Sequence, residues 1–383
     1  MEPTILLVST AVSWLGTARM ARSLARAGFV VALLAPEGSL AAKSRFVARR
    51  SFLARDATPA AWLAALRGAV DQCAPALLVP CDEMAVRLLF VLTLQPPLWL
   101  PSAVHLQLAA LVERSMGDRA HFLDSVDKLR LPAAAAAAGV AVPPHALVGT
   151  AAEARDFAQA RGYPVVLKRR HGFAGEGVAI VARADELAPA VEALLRPDQL
   201  DLGLWQAPRL LVQSFITGPY HSQALVAWKG TPLASFAWER HVATQPVKGQ
   251  TAVLRFVRSE RTRAPAERLG HAFGITGFFN VQFVIDAATG RAYLLEINRR
   301  LVTHMHVGER IGRDLATALR ARLAGAQVPA MPPLPGPTGA VVTVFPREWL
   351  RDPRSRHLVD HPVDVPWDDP ELIEAMLAMR HSA

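Results

Sequence analysis

Two stretches near residue 290 alternate apolar and polar side chains so regularly that an antiparallel β-hairpin is the natural fold for both. In Phe278-Phe-Asn-Val-Gln-Phe-Val-Ile-Asp286, Val281, Phe283 and Ile285 share one side, while Asn280, Gln282 and Val284 share the other. Strand side chains repeat every two residues, so the split is geometric. Arg291 to Arg300 behaves likewise, with Glu296 and Asn298 on one side. A three-residue loop, Ala288-Thr289-Gly290 with Gly290 left-handed, would set Gln282 opposite Glu296. A slip of one residue would send Gln282 to the other face. One carboxylate and two amide carbonyls then form an oxygen patch that suits Mg²⁺ when nucleotide phosphates complete its shell. An ordinary hairpin, one face in the core and one in water, fits the same pattern.

At 383 residues the chain is long enough for two or three domains. Although 51% of it is hydrophobic, no apolar run reaches the roughly 18 residues of a membrane span. The opening Met-Glu-Pro-Thr-Ile-Leu-Leu-Val lacks a basic lead and reads as a first strand. Cys73 and Cys81 have no metal or redox spacing, so reduced thiols and a cytoplasmic setting are expected. The net charge of +9 comes from scattered arginines, and aromatics make up only 7%, which argues against a nucleic-acid surface. Of 42 basic residues only five are lysines, at 43, 128, 168, 229 and 248. Where arginine is the default cation, a lysine can mark a need for a compact point charge.

The first hundred residues alternate strands and helices: Ile5 to Ser9, Thr17 to Ala27, Phe29 to Leu34, Pro59 to Cys73, Ala76 to Val79, then a helix after Asp82. That order predicts a parallel sheet with covering helices. The first turn, Ser9 to Gly16, is not a dinucleotide fingerprint. Ser9, Asp82 and Glu83 sit at carboxyl ends of strands, where ligands of open α/β sheets bind, and helix capping is their alternative role. A proline-rich stretch from Gln95 to Pro101 reads as a boundary. Helices follow at Asp127 to Ala138 and Ala151 to Arg161. Strands then dominate, at Pro164 to Lys168, Gly177 to Val181, Arg209 to Phe215, Gln223 to Trp228 and Leu233 to Trp238. Beyond the hairpin come a helix from about Gly308 to Ala324, a proline-rich linker from Val328, a strand at Ala340 to Phe345 and a helix after Pro370.

The strand ending in Lys168 runs into Arg169-Arg-His-Gly-Phe-Ala-Gly-Glu-Gly177. Three glycines in six residues let the backbone approach a phosphate chain with its N–H groups turned inward. No G-K-[ST] is present and the flanks are strands, so this is a flap-like loop, not a P-loop. Taken with Asp127-Lys128, Gly139-Val-Ala-Val-Pro143, Leu211-Val-Gln-Ser-Phe-Ile216 with Gly218, Asn280-Val-Gln282 and Leu295-Glu-Ile-Asn298-Arg-Arg300, the chain resembles the ATP-grasp superfamily. The likeness is to its carbamoyl-phosphate-synthetase-like, carboxylate–amine ligase branch.

The resemblance implies an α/β and α+β fold. A Rossmann-like parallel-sheet domain (1–100) would precede a two-subdomain ATP-grasp fold (101–327), with a linker, return strand and tail at 328–383. It implies that Lys128 and Lys168 contact ATP phosphates and that Gly172, Gly175 and Gly177 cover them. Gln213, Ser214, Phe215, Ile216 and His221 would hold the nucleoside. Gln282, Glu296 and Asn298 would bind Mg²⁺ (or Mn²⁺), with Arg300 and Lys168 at the reacting phosphoryl or acyl-phosphate group. Arg240, Lys248 and Gly249 fall where relatives have a substrate loop; an exposed connection is the alternative. Gln213 stands where relatives usually have glutamate, Tyr220-His221 follows the hinge glycine where an acid is usual, and Arg299 replaces proline. The implied partners are small-molecule carboxylate and amine substrates, with no nucleic acid, no membrane, and a homodimer as the commonest assembly. The implied enzyme is an ATP-dependent carboxylate–amine ligase. A kinase or carbamate-forming enzyme using the same site, or a non-catalytic nucleotide-binding regulator, is the alternative.

Overall fold

The computed structural model describes every residue except 1, 96, 98, 173, 174, 176, 197–208, 246–248, 330–338 and 380–383. Lys248 and most of the proline-rich linker lie outside the described residues. Strands β1 (Thr4–Val8), β2 (Val30–Pro36), β3 (Arg49–Leu53) and β4 (Leu77–Pro80) form a parallel sheet in the order β3-β2-β1-β4. Both faces are covered, so its inner strands are apolar throughout. Ile5 and Leu7 point into one core, Leu6 and Val8 into another. The second of these cores continues beyond Pro101 into the helix Ser102–Met116 and on to Phe122 and Val126. Strand β3 escaped the sequence reading because Arg49-Arg-Ser-Phe-Leu is a half-exposed edge, without the apolar run of its neighbours.

Strands β5 (His145–Val148), β6 (Val165–Lys168), β7 (Val178–Val181) and β8 (Leu210–Ser214) make a second, antiparallel sheet, ordered β5-β8-β6-β7. The helices Ala151–Arg161 and Ala184–Leu195 pack on one face and give this unit its own core, which includes Val165, Leu167 and Val212. Thr150 and Glu153 close a reciprocal capping box at the first helix. The other face carries Val166 and Lys168.

The third sheet is antiparallel and six-stranded: β9 (Tyr220–Trp228), β10 (Thr231–Ala243), β11 (Thr251–Val257), β12 (Gly277–Ile285), β13 (Ala292–Asn298) and β14 (Val341–Thr343). Its order is β13-β12-β9-β10-β11-β14. Gly218 enters it in the left-handed region, and a Cβ there would meet the Ile285 carbonyl at 1.7 Å, so only glycine fits. One face shares a core with the first sheet: Ala224, Phe236 and Leu254 join Ile5, Leu33 and Val79, and Leu372 and Met376 of the tail close it.

Several expectations need correction. The helix placed at Asp127 starts at Leu131, because Asp127 accepts from the Leu129 N–H and bends the chain first. The helix drawn from Gly308 to Ala324 is a 3₁₀ turn, Met305–Ile311, and a separate helix, Leu315–Leu323, with left-handed Gly312 between them. Strand β11 and the helix Glu260–Ala272 went unread; the helix holds Pro265 and many charges, which mask its period. Among the described residues no helix is long and apolar enough to cross a membrane. Cys73 and Cys81 are free and buried, and burial raises both thiol pKa values.

A buried ionic knot fastens the tail. Asp364 Oδ2 lies 2.7 Å from His306 Nε2 and 3.3 Å from Arg19, and Asp364 also accepts from the Phe345 N–H. Burial pushes Asp364 up, but Arg19 and His306 outweigh it and keep it ionised. Asp364→Ala should cost about 3–5 kcal/mol, read as a lower urea midpoint, because Arg19 is left buried and unpaired. An unchanged midpoint would refute that role. Burial is also the leading cause that holds His171, His221, His304 and His306 below the ordinary histidine value. Unfolded histidines take protons that these buried rings refuse, so stability should fall as pH drops from about 7 to 5. Urea midpoints measured across that range should decrease; a rise would contradict the buried neutral rings.

Candidate functional site

A cavity of about 260 Å³ lies between the second and third sheets. The β12–β13 hairpin forms one wall, and its register is the first thing to explain. The Asp286 N–H donates to the Arg291 carbonyl and the Gly290 N–H to that of Asp286. The loop is therefore four residues, Ala287 to Gly290, and not the expected three; Gly290 is left-handed as expected, with φ +68°. Continued regularly, that loop would put Glu296 opposite Val281, on the core side. Instead Phe283 pairs with Leu294 while Gln282 pairs with Glu296 and Asn280 with Asn298. Leu295 is the extra residue of a β-bulge. The bulge cancels the longer loop and returns Glu296 and Asn298 to the face of Asn280 and Gln282.

All four of these side chains line the cavity. Glu296 Oε1 accepts from the Asn298 amide at 3.1 Å. Burial pushes the carboxyl up, yet Lys128, Asn298, Lys168 and Arg300 together hold it below the usual carboxylate range. Asn280 was not singled out by the sequence reading, although its parity with Gln282 was visible. It donates to the Gln223 carbonyl, and its own amide oxygen is buried without a hydrogen-bond partner. Such an oxygen calls for a cation or a donor.

A bulge removes backbone groups from the ladder, and here the Leu295 carbonyl accepts from Lys168 Nζ at 3.3 Å. Burial lowers the Lys168 pKa to about 8, against the pull of Glu296 and with help from Lys128. Lys128 Nζ donates to the Gly172 carbonyl at 2.6 Å, and its backbone N–H donates to Arg170. Asp127 pairs with Arg170, so the turn carrying Lys128 is tied to the glycine loop. Gly175 lines the cavity; Gly172 and Gly177 are not among its described lining residues. Gln213, Ser214, Phe215, Ile216 and His221 also line the cavity.

Further cations converge on the space. Arg240 lies over the Tyr220 ring at 5.1 Å, with its Nε buried and unpartnered, and Gly249 is close by. Arg347 of the tail donates to Thr303 Oγ1 at 2.9 Å, and nothing in the sequence pointed to it. Its neighbour His304 is also in the wall, with Nε2 3.2 Å from the Thr251 carbonyl and its pKa pushed by burial to about 3. Among the described lining residues Lys128, Lys168, Arg240, Arg300 and Arg347 surround one carboxylate, Glu296. Arg299 is not among them. It turns away to donate to Ser125 and Met116, and burial lowers its pKa to about 9.

The residues of the first sheet stand apart. Asp82 caps the helix Glu83–Leu94 and accepts from the Ala85 N–H at 3.0 Å. It also accepts from Ser9 Oγ and from both donors of Thr10, which pins the first turn. Capping, one of the two roles left open, is what engages Asp82, whereas Ser9 caps no helix and donates to Asp82. Glu83 points elsewhere, with its carboxylate 3.5 Å from Arg300 Nε. Arg300 in turn stacks on Trp14 at 5.0 Å. This pair divides the cavity from a second one, described below.

Residues 125–304 match the family described as the ATP-grasp domain. The alpha subunit of mitochondrial methylcrotonoyl-CoA carboxylase from Oryza sativa subsp. japonica is 29% identical over 165 residues, 40% of this chain and 21% of that protein. The D-alanine–D-alanine ligase of Stutzerimonas stutzeri (strain A1501) is 26% identical over 182 residues, 45% of this chain and 55% of the ligase. The chain thus spans about a fifth to a half of the curated relatives' length. Among solved structures, a biotin carboxylase β-γ-ATP complex from Campylobacter jejuni shares the fold. Its TM-score is 0.65 at 17% identity, over 88% of this chain and 74% of that one. Residues 125–304 thus form an ATP-grasp domain.

Proposed function

We propose that the protein is an ATP-dependent enzyme that activates a substrate carboxylate as an acyl phosphate for attack by an amine. The observation that carries this reading is the charge of the cavity: five cations around one carboxylate, delivered by two facing sheets and the segments that flank them. A triphosphate complements that excess, and few small metabolites carry enough negative charge to do so. In this reading Lys128 and Lys168 hold the phosphates, and the glycine loop from Gly172 to Gly177 covers them. The chain from Gln213 to Ile216, with His221, takes the nucleoside.

The donor set also suits Mg²⁺. Among the described residues no group of three or more acidic, histidine or cysteine side chains is placed to hold a metal ion by itself. One ionised carboxylate and several amide oxygens remain, a set that Mg²⁺ uses together with nucleotide phosphates. Gln282, Glu296 and Asn298 would hold it, with the unpartnered Asn280 oxygen as a further donor. When bound, the metal neutralises phosphate charge and orients the transferring group.

The reaction balances as follows. A carboxylate oxygen of the substrate attacks the γ-phosphorus, the bond to the ADP oxygen breaks, and an acyl phosphate forms. An amine nitrogen then attacks the acyl carbon, phosphate departs, and one proton passes to solvent. Arg300, at the border of the cavity, meets the charge that develops on the acyl phosphate. Lys168 and Arg347 add fixed positive charge without reorganisation at the moment of transfer. Arg240 and Gly249 flank the acceptor side. Similarity to a carboxylase subunit supports a second reading, in which bicarbonate is the carboxylate and the product a carbamate. Labelled bicarbonate appearing in product would select it; a stable amide formed in step with phosphate would select the ligase.

Lys168→Ala and Glu296→Ala should each lower ATP-dependent phosphate release at least about 100-fold. Wild-type turnover in both variants would sink the mechanism. Deleting Leu295 should be as damaging, although its side chain carries no charge. Without the bulge Glu296 and Asn298 rotate to the core face. Mg·ATP binding, measured by calorimetry, should vanish in the deletion variant yet survive Leu295→Ala, which keeps the extra residue.

A further inference from the structure

A second cavity of about 500 Å³ lies beyond Arg300 and Trp14, at the carboxyl ends of β1, β3 and β4. Its walls are mostly apolar, with Leu53, Trp62, Met84 and Leu88 among them. Polar groups interrupt that surface: Thr10, Asp82 and Arg55 are in the wall, with Arg55 donating to the Glu37 carbonyl, and three others lack full partners or face one another. Arg300 is only 6% exposed, and its Nε makes no hydrogen bond; the Glu83 carboxylate at 3.5 Å is an ion-pair neighbour, too distant to satisfy it. Trp62 is 3% exposed, and its indole N–H is buried without a partner. Glu83 sits on the first turn of its helix with its carboxylate toward Arg300. Asp82, by contrast, has its oxygens committed to Ser9, Thr10 and Ala85.

Buried donors without acceptors are costly unless something else accepts from them. An apolar chamber of this size that ends in an under-bonded guanidinium, an orphan indole N–H and a carboxylate is complementary to one kind of molecule. We infer that the second cavity is the pocket for the carboxylate substrate, and that this substrate is an α-amino acid with a bulky apolar side chain. The inference rests on the ATP-dependent ligase reading above. The carboxylate of the amino acid lies on Arg300, facing the phosphoryl donor, and the Trp62 N–H supplies a second donor to it. The ammonium takes the place of Arg300 beside Glu83, and stays out of the chemistry. The side chain fills the space between Leu53, Met84 and Leu88. The activated acid is therefore this amino acid, and the attacking amine comes from the other cavity.

The assignment yields a selectivity that acidic or small substrates would not produce. Each methylene gained in an apolar pocket changes kcat/KM by roughly 10-fold or more. Leucine, methionine or phenylalanine should therefore support phosphate release at least about 10-fold better than alanine or glutamate, with one amine acceptor held constant. Leu88→Trp, which fills the chamber, should raise KM for leucine at least about 10-fold. Glu83→Gln, a near-isostere that preserves packing, should weaken amino acids but spare the deaminated acid of leucine, which has no ammonium to lose. Calorimetric binding of Mg·ATP runs alongside for every protein. If Mg·ATP binds and small or acidic amino acids are preferred, or if both variants leave the leucine KM unchanged, the inference is overturned while the ATP reading stands. If wild-type protein binds no Mg·ATP, the ligase reading itself falls, and this inference with it.

Discussion

A single carboxylate held among like cations organises this molecule. Glu296 is half-buried, and desolvation pushes its carboxyl up; Lys128, Asn298, Lys168 and Arg300 outweigh that and hold it below the usual carboxylate range. Those cations arrive from three different parts of the chain: the turn before the helix Leu131–Ala137, the end of β6, and the segment after β13. The fold is thus arranged so that separate units deliver their charges to one hairpin. Backbone contacts fix the delivery. Lys168 rests on the carbonyl that the bulge releases, and Lys128 on a carbonyl of the glycine loop.

The periodic parts of this architecture were legible in the sequence. The alternation of β12 and β13 gave the faces, and the apolar runs of β1, β2 and β4 gave the parallel sheet. The pairing of Gln282 with Glu296 was correct, but through a loop one residue too short and without the bulge that compensates for it. A bulge leaves no period of its own, because it is one residue that fails to pair. Elements with polar or interrupted patterns were missed for the same reason: β3 is an arginine-rich edge, and the helix Glu260–Ala272 contains a proline.

Long-range charge was the other illegible part. Arg347 lies 179 residues from Lys168, in a tail whose tryptophans drew attention instead, and only packing reveals that both line one cavity. Arg299 misled in the opposite direction. In the sequence it adds a cation next to Arg300, yet just past the end of β13 it turns into the interior toward Ser125 and Met116.

The hydrophobic cores are unequal partners. Those of the first and third sheets interlock through Leu33, Phe236 and the tail, while the second sheet buries Val165, Leu167 and Val212 among its own helices alone. Swinging the second sheet away from the rest would expose none of the apolar interior that it owns. The hinge energy of such a swing falls on polar links such as Lys168 to Leu295 and Lys128 to its glycine carbonyl, which water can replace. This half of the cavity is consequently a jaw with a stiff bone and a wet joint.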